Sequence, residues 1–187
     1  MAHPLQQGDM ISGRRLIDLH GRTVDIPNRE GLLTHLQFRR FAGCPMCNLH
    51  LRSFIQRHDE LTAAGIAEVA VFHSSARSMT QQHAEAPFAL LADPSKALYR
   101  EFGVESSLHA LLHPRAWAAM IQGLVRLGAT LPDRGESRLG LPADFLIAGD
   151  GRLLALKYGQ HAYDQWSLDE LLATARKSCR SPRATTT

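Results

Sequence analysis

Two cysteines spaced as Cys-x-x-Cys, Cys44 and Cys47, lie where a predicted strand changes into a predicted helix. The strand covers residues 32–41, and the helix is predicted from Cys44 to about residue 64 because apolar residues recur at helical spacing. With three cysteines in all, the chain is not a disulfide-stabilised secreted scaffold, and it lacks the ligands of a four-cysteine zinc site. The pair therefore indicates redox chemistry.

The order of predicted elements indicates an α/β protein with a mixed sheet and helices on both faces. Strand–helix alternation favours parallel pairing, and hairpins at residues 14–26 and 145–158 add antiparallel pairs. The other predicted strands are residues 32–41, 68–73 and 88–92, and the predicted helices are 44–64, 75–83, 95–102 and 167–177. Ser167 followed by Glu170 is typical of a capping box at the start of the last helix.

The length of 187 residues predicts one domain, residues 1–178, with an inserted helical segment at about 106–140 and a disordered tail at 179–187. The net charge of +3 is too small to make nucleic acid the main partner. No apolar run approaches the ~20 residues that a membrane span needs, and the N-terminus lacks a secretory signal pattern. We therefore expect a cytoplasmic protein that binds neither nucleic acid nor membrane.

The residues around the cysteines predict different roles for the two sulfurs. Pro45 suits the first helical position, so that Cys44 becomes the N-cap, where free backbone N–H groups and the helix dipole favour a thiolate. Arg39 and Arg40 are the nearest sources of further positive charge, and strand alternation lets at most one of them reach the site. We expect Cys44 to be the exposed attacking sulfur and Cys47, one turn further in, to be the more buried resolving sulfur.

The segment LQFRRFAGCPMCNLHLRSF, residues 36–54, resembles the active-site strand and helix of thioredoxin-fold, peroxiredoxin-like proteins. It is closest to the alkyl hydroperoxide reductase/thiol-specific antioxidant (AhpC/TSA) group whose site reads R-R-F-x-C-P-x-C. The hairpin at residues 18–22 and the segment 140–159 resemble the same superfamily, so the resemblance covers about residues 10–175. It implies a thioredoxin-like sheet flanked by helices and thiol-dependent reduction of a peroxide or a disulfide.

The resemblance also implies a role for Pro142, which comes just before a predicted core strand. In thioredoxin-like folds a cis-proline at this place faces the Cys-x-x-Cys pair. A cis peptide bond between Leu141 and Pro142 would leave the backbone of Leu141 free to pair with an extended partner or substrate.

The residues ahead of the cysteines differ from the usual peroxiredoxin pattern of a Pro seven residues and a Thr or Ser three residues before the reactive cysteine. Gln37 and Phe41 precede Cys44 at these distances, and Arg40 and Cys44 precede Cys47. The sequence predicts a peroxiredoxin-like oxidoreductase that reduces peroxides by cycling between dithiol and disulfide. This difference from the usual pattern leaves two alternatives open. They are a thioredoxin-like protein disulfide reductase and a non-enzymatic redox sensor that binds a partner through the inserted helices.

We expect no cofactor and no metal. His109 and His113 are four residues apart but lack the glutamate of an H-E-x-x-H zinc motif, and His35 on its strand is more typical of a core position. The third cysteine, Cys179, is expected to be an incidental exposed thiol. The expected partners are a peroxide or disulfide substrate and a thioredoxin- or glutathione-type reductant, and a homodimer is left open.

Overall fold

A five-stranded mixed sheet forms the centre of the computed structural model, which describes residues 4–29, 33–83, 85–104, 125 and 140–180. The strands are β1 (Arg14–Ile17), β2 (Thr23–Ile26), β3 (Leu33–Arg39), β4 (Ile66–Phe72), β5 (Ala89–Ala92), β6 (Ala143–Ile147) and β7 (Leu153–Tyr158). The helices are α1 (Pro45–Gln56), α2 (His58–Ala63), α3 (Ala76–His83), α4 (Ala97–Glu101) and α5 (Leu168–Arg180). β1 and β2 form a separate antiparallel hairpin, as predicted.

The sheet has the strand order β5-β4-β3-β6-β7. β3 pairs in parallel with β4, and β4 pairs in parallel with β5, whereas β6 is antiparallel to both β3 and β7. The predicted mixed sheet is therefore confirmed. Because β3 is the central strand, the residues that follow it lie at the edge where the carboxyl ends of the parallel strands meet, which is where open α/β sheets carry their sites.

Each face of the sheet has its own hydrophobic core. The first core joins the sheet to α1 and α5 through residues such as Phe54 and Leu171, and it also contains both cysteines of the Cys-x-x-Cys pair. The second core lies on the opposite face, where Phe38 packs edge-on against Tyr99 and Phe145. Among the described residues, no helix is long and apolar enough to cross a bilayer.

Most element boundaries shift by one to three residues from the sequence prediction, and two differences have an identifiable cause. The helix predicted for residues 44–64 is two helices, because the backbone at Arg57 leaves helical geometry at φ −114° and ψ 26°. The side chain of Arg57 binds Glu60 and Asp169 there at 2.6 and 2.7 Å. α5 extends to Arg180, so residues 179 and 180 are helical rather than part of a tail. No proline or glycine occurs between Leu168 and Pro182, so nothing in the sequence ends the helix earlier.

The start of α5 agrees with the predicted capping box. The Ser167 hydroxyl accepts the backbone N–H of Glu170 at 3.2 Å, and the Glu170 carboxylate accepts the backbone N–H of Ser167 at 2.8 Å. The predicted insertion, apart from residues 125 and 140, and the remainder of the predicted tail, residues 181–187, lie outside the described residues.

Candidate active site

The Cys-x-x-Cys pair begins helix α1 at the carboxyl end of the central strand. Cys44 is the N-cap, with φ −70° and ψ 115°, and its carbonyl accepts the backbone N–H of Asn48 at 3.0 Å. Pro45 occupies the first helical position, where a missing N–H costs nothing. The backbone N–H of Cys44 donates to the carbonyl of Phe41 at 3.0 Å, which closes the turn between β3 and α1.

Both sulfurs of the pair are buried. Cys44 is 1% exposed and Cys47 is 2% exposed, and both are free thiols. The expectation that Cys44 is exposed is therefore wrong. The reason is that the turn before the helix is itself packed: Phe41 and Ala42 belong to the same hydrophobic core as the two cysteines. An oxidant reaches either sulfur only if the atoms packed over it move.

Side chains from two other elements bind the turn before Cys44. The backbone N–H of Ala42 donates to the hydroxyl of Ser74, just after β4, at 2.8 Å. The carbonyl of Ala42 accepts a hydrogen bond from Nε2 of His83, the last residue of α3, at 3.1 Å. Burial lowers the pKa of His83, so the ring is neutral at pH 7 and carries its proton on Nε2. Both polar backbone groups of Ala42 are therefore satisfied inside the core.

The two arginines at the end of β3 have different surroundings. Nη1 of Arg40 lies 3.7 Å from Sγ of Cys44, and its guanidinium lies 5.8 Å from the centre of the Phe41 ring. Arg39 instead extends beneath α1, where its guanidinium pairs with Asp144. Arg40 is therefore the arginine that contacts a sulfur.

The two thiols titrate as a coupled pair. Burial alone would raise the pKa of Cys47, but the hydrogen bond from Cys44, the Arg40 guanidinium and the Arg40 backbone N–H outweigh burial and lower that pKa to about 6. The pKa of Cys44 is raised by burial and by its hydrogen bond to Cys47, with Arg40 opposing the rise. The directions of the two shifts favour a singly ionised pair in which the two sulfurs share one proton.

The sequence predicts the thiolate on Cys44, whereas the directions of the two pKa shifts favour Cys47. The helix N-terminus does favour a negative charge at Cys44, but the advantage is only about 0.3–2 kcal/mol, and burial of the sulfur opposes it. Cys47 additionally accepts a hydrogen bond from the Cys44 thiol.

Pro142 enters β6 with an ordinary trans peptide bond. Within the described part of the chain, the cis peptide bond is Ile26–Pro27, so the expected cis bond between Leu141 and Pro142 is wrong. The carbonyl of Pro142 accepts the backbone N–H of Gly159 at 2.9 Å, which continues the pairing of β6 with β7. A proline at a strand entry needs no partner for its nitrogen, and trans is the usual state of X–Pro bonds.

Several buried polar residues near the site were not identified from the sequence. Ser74 and His83 belong to no motif, so nothing in the sequence singled them out. A signal did exist on β3, where His35, Gln37 and Arg39 occupy alternate positions. Such polar residues are unusual in the central strand of an α/β sheet, where both faces are normally apolar.

Cys179 lies far from the other two cysteines. It is exposed and lines a surface cavity together with Leu33, Ala64 and Leu172. Leu33 is the first residue of β3, whereas Cys44 follows its end, so the two cysteines lie at opposite ends of the sheet. Seven residues of strand span roughly 20 Å.

The part of the chain that the structure describes holds no group of three or more His, Cys, Asp or Glu side chains suited to a metal ion. The histidines weighed as metal ligands in the sequence, His109 and His113, lie outside the described residues.

A hydrogen-bonded pair of thiols at the start of a helix, with one pKa lowered and an arginine beside it, defines a thiol-dependent oxidoreductase on a thioredoxin-like sheet. The chain matches the model of the AhpC/TSA family over residues 8–155. It therefore belongs to the AhpC/TSA family. No curated protein sequence matches the chain significantly.

Solved structures with the same fold include peroxiredoxins. The peroxidoxin BcpB of Mycobacterium tuberculosis is 20% identical, with a TM-score of 0.68, and the match covers 94% of this chain and 98% of that one. Mycobacterium tuberculosis AhpC is 16% identical with a TM-score of 0.65, and 98% of each chain is covered. A Chlorobium tepidum protein assigned as the thiol:disulfide interchange protein DsbE is 20% identical with a TM-score of 0.60, covering 91% and 99%. These similarities confirm the thioredoxin-like fold.

Proposed function

We propose that the protein reduces peroxides by cycling Cys44 and Cys47 between a dithiol and a disulfide. The observation that supports this most directly is a pair of free thiols at the start of α1, with the Arg40 guanidinium 3.7 Å from Sγ of Cys44. The thiolate is the form of sulfur that attacks an O–O bond. The site sequence reads R-R-F-x-x-C-P-x-C from Arg39 to Cys47, one residue longer between Phe41 and Cys44 than the R-R-F-x-C-P-x-C pattern of the subgroup that it resembles.

In the proposed cycle Cys44 attacks and Cys47 first acts as its base. The Cys44 thiol gives its proton to the Cys47 thiolate along their hydrogen bond, and the resulting Cys44 thiolate is stabilised by Arg40. Its sulfur bonds to the terminal peroxide oxygen as the O–O bond breaks. The departing alkoxide takes the proton from Cys47 and leaves as an alcohol, or as water from hydrogen peroxide.

The second half of the cycle forms the disulfide. The Cys47 thiolate attacks the sulfenic acid on Cys44, so that an S–S bond forms and hydroxide leaves and is protonated to water. A thioredoxin- or glutathione-type thiol then reduces the disulfide by thiol–disulfide exchange and is itself oxidised. Such donors, and the reducing state they maintain, suit a cytoplasmic protein.

The test uses the full chain carrying Cys179→Ser, so that only the two site thiols react. With one equivalent of hydrogen peroxide, followed by alkylation and mass spectrometry, we expect a Cys44–Cys47 disulfide. Cys47→Ser should accumulate a sulfenic acid on Cys44, and Cys44→Ser should consume no peroxide.

Two outcomes would change the proposal. If Cys44→Ser still reacts at the parental rate and carries the sulfenic acid on Cys47, the attacking sulfur is Cys47. If the parent forms no disulfide and consumes no peroxide, peroxide reduction itself is refuted.

Reduction of protein disulfides is the second candidate, and one observation favours it. Phe41 and Gln37 occupy the places of the peroxiredoxin hydroxyl and proline, and the Gln37 side chain is bound to Glu68 and Arg39. The relative assigned as DsbE is named for this reaction. Insulin reduction measured beside peroxide consumption on one preparation separates the two functions.

A further inference from the structure

Five side chains beneath helix α1 form a closed ring of polar contacts, which we call the buried polar ring. Its members are His35, Gln37 and Arg39 on β3, Glu68 on β4 and Asp144 on β6. All five are buried, and they lie on the face of the sheet that carries the cysteine-containing core.

The contacts run around the ring, and the link from His35 to Asp144 is an ion pair at longer range rather than a hydrogen bond. Nδ1 of His35 lies 2.7 Å from the Glu68 carboxylate, and its Nε2 lies 3.4 Å from Oδ1 of Asp144. The same Asp144 oxygen lies 3.4 Å from Nη2 of Arg39. Nε of Arg39 donates to the Gln37 amide oxygen, and the Gln37 amide nitrogen donates to Glu68.

The ring is electrically neutral when its histidine is protonated. Burial would lower the pKa of His35, but Glu68 and Asp144 outweigh burial and raise that pKa to about 9. Two cations, His35 and Arg39, then balance two carboxylates. Burying four charges is an expensive way to stabilise a fold, because hydrophobic residues of similar volume often do as well or better. A functional role is therefore indicated.

The ring adjoins the reactive pair through Arg39, because the next residue in the chain, Arg40, has its Nη1 3.7 Å from Sγ of Cys44. The Arg39 guanidinium is held on three sides, by Gln37, Gln165 and Asp144. Its charge lowers the pKa of Cys47, and the backbone N–H of the next residue, Arg40, donates to that sulfur.

Three neighbouring groups lower the pKa of Cys47. Those groups are Cys44 on its own helix and the two arginines, Arg39 and Arg40, at the end of β3. Tyr99 of α4 packs on the opposite face of the sheet, and its burial together with the charge on Cys47 raises the pKa of the Tyr99 hydroxyl. The ring therefore acts on Cys47 through the charge of Arg39.

We propose that the buried polar ring positions Arg39 and the Arg40 backbone against Cys47 and thereby sets how readily the Cys44–Cys47 pair is oxidised. This inference rests on the proposed function, because it concerns the same pair of sulfurs. A cation near the thiolate stabilises the reduced form, so weakening that cation should favour the disulfide. The ring residues are positioning residues, since none of them contacts substrate.

The experiment measures two properties of the full chain carrying Cys179→Ser. The thiolate pKa is read from ultraviolet absorbance of the reduced protein against pH. The equilibrium with dithiothreitol at pH 7 is read by alkylation and mass spectrometry. One variant, Gln165→Glu, keeps the ring and adds a carboxylate against Arg39. The other, Arg39→Met/Asp144→Asn, removes the ion pair as a unit, so that neither charge is left alone.

For both variants we expect the lower thiol pKa to rise by about one unit, and the dithiothreitol equilibrium to move about fivefold to tenfold toward the protein disulfide. The matched control is Arg57→Met, which removes an arginine of the same chain from the far end of α1, and it should leave both properties unchanged. A purely structural ring would change the unfolding free energy in the variants without moving the thiol pKa or the equilibrium.

The proposal is overturned if, in a folded variant, the lower thiol pKa stays within about 0.3 units of the parent and the dithiothreitol equilibrium stays within about twofold. If the double variant does not fold, the thiolate pKa and the dithiothreitol equilibrium of Gln165→Glu alone test the proposal. Failure of the proposed function has a different signature, because it would leave the parent unable to form the disulfide with peroxide. The thiolate titration needs no turnover and would still report on the ring.

Discussion

Nη1 of Arg40 lies 3.7 Å from Sγ of Cys44, and both side chains are buried. The backbone N–H of the same arginine donates to Cys47. Arg40 therefore supports one sulfur with its side chain and the other with its main chain. Because water is largely excluded, the positive charge acts on the sulfurs more strongly than it would at the surface.

Replacing the Arg40 side chain should suppress the thiolate. In Arg40→Met the cation is lost while the backbone N–H remains, so we expect the lower thiol pKa to rise by about one unit. Alkylation by iodoacetamide at pH 7 should slow several-fold, as measured by mass spectrometry over time. Arg52→Met, on the exposed face of the same helix, is the control and should react at the parental rate. Unchanged alkylation in Arg40→Met would contradict this role.

The turn before Cys44 should depend on the hydroxyl of Ser74. In Ser74→Ala the buried backbone N–H of Ala42 loses its 2.8 Å acceptor, which should cost about 1–3 kcal/mol in the free energy of unfolding. Denaturant titration measures the loss. Ser78→Ala, at a half-buried position of α3, should change the unfolding free energy by less than about 0.5 kcal/mol. Equal effects of the two substitutions would show that the hydroxyl does not hold the turn.

Protonation of His35 should make stability fall as the pH rises. Its pKa is raised from 6.5 to about 9 in the folded protein, so the folded state binds the extra proton between these values. The contribution, on the order of 3 kcal/mol, is fully present below pH 6.5 and is lost as the pH rises toward 9.

Cys47 titrates in the same range with the opposite sign, because its pKa is lowered to about 6. The measurement therefore uses Cys44→Ser/Cys47→Ser, in which the thiols are absent. Unfolding free energies at pH 6.5, 8 and 9 should decline in this background and decline less when His35→Gln is added. His20→Gln, an exposed position, should keep the decline. An equal slope with and without His35 would refute the assignment.

Cys179 should take no part in forming the disulfide within one chain. It lies at the opposite end of the sheet from Cys44, well beyond the reach of an S–S bond. Cys179→Ser should therefore give the same yield of Cys44–Cys47 disulfide per peroxide, measured by peptide mapping without reduction. A Cys44–Cys179 or Cys47–Cys179 link in monomeric protein would contradict the described geometry.

Much of the fold could be predicted because its signals are local. Gly21, with φ +75°, gives the first hairpin its turn, and the pairing of Ser167 with Glu170 marks the start of the last helix. Pro45 places Cys44 at the start of α1 in the same way. Each of these features depends on residues within a few positions of one another.

The burial and ionisation of the pair could not be predicted, because they depend on residues distant in the sequence. Ser74 and His83 hold the turn from two other elements, and the proton shared with Cys47 depends on how closely the sulfurs pack. The alternation of polar residues on β3 was visible in the sequence, but the partners of these side chains were not. Asp144, which contacts Arg39, lies on a strand more than a hundred residues later in the chain.

The buried polar ring has a consequence for how this protein can diverge. Loss of a single member leaves a neighbouring charge without compensation in a dry interior, so one-step changes at these positions should be strongly disfavoured. Descendant sequences should either retain all five residues or exchange several together for an apolar set. Among relatives, the presence of all five residues would then mark a lineage in which the dithiol has a similar redox potential.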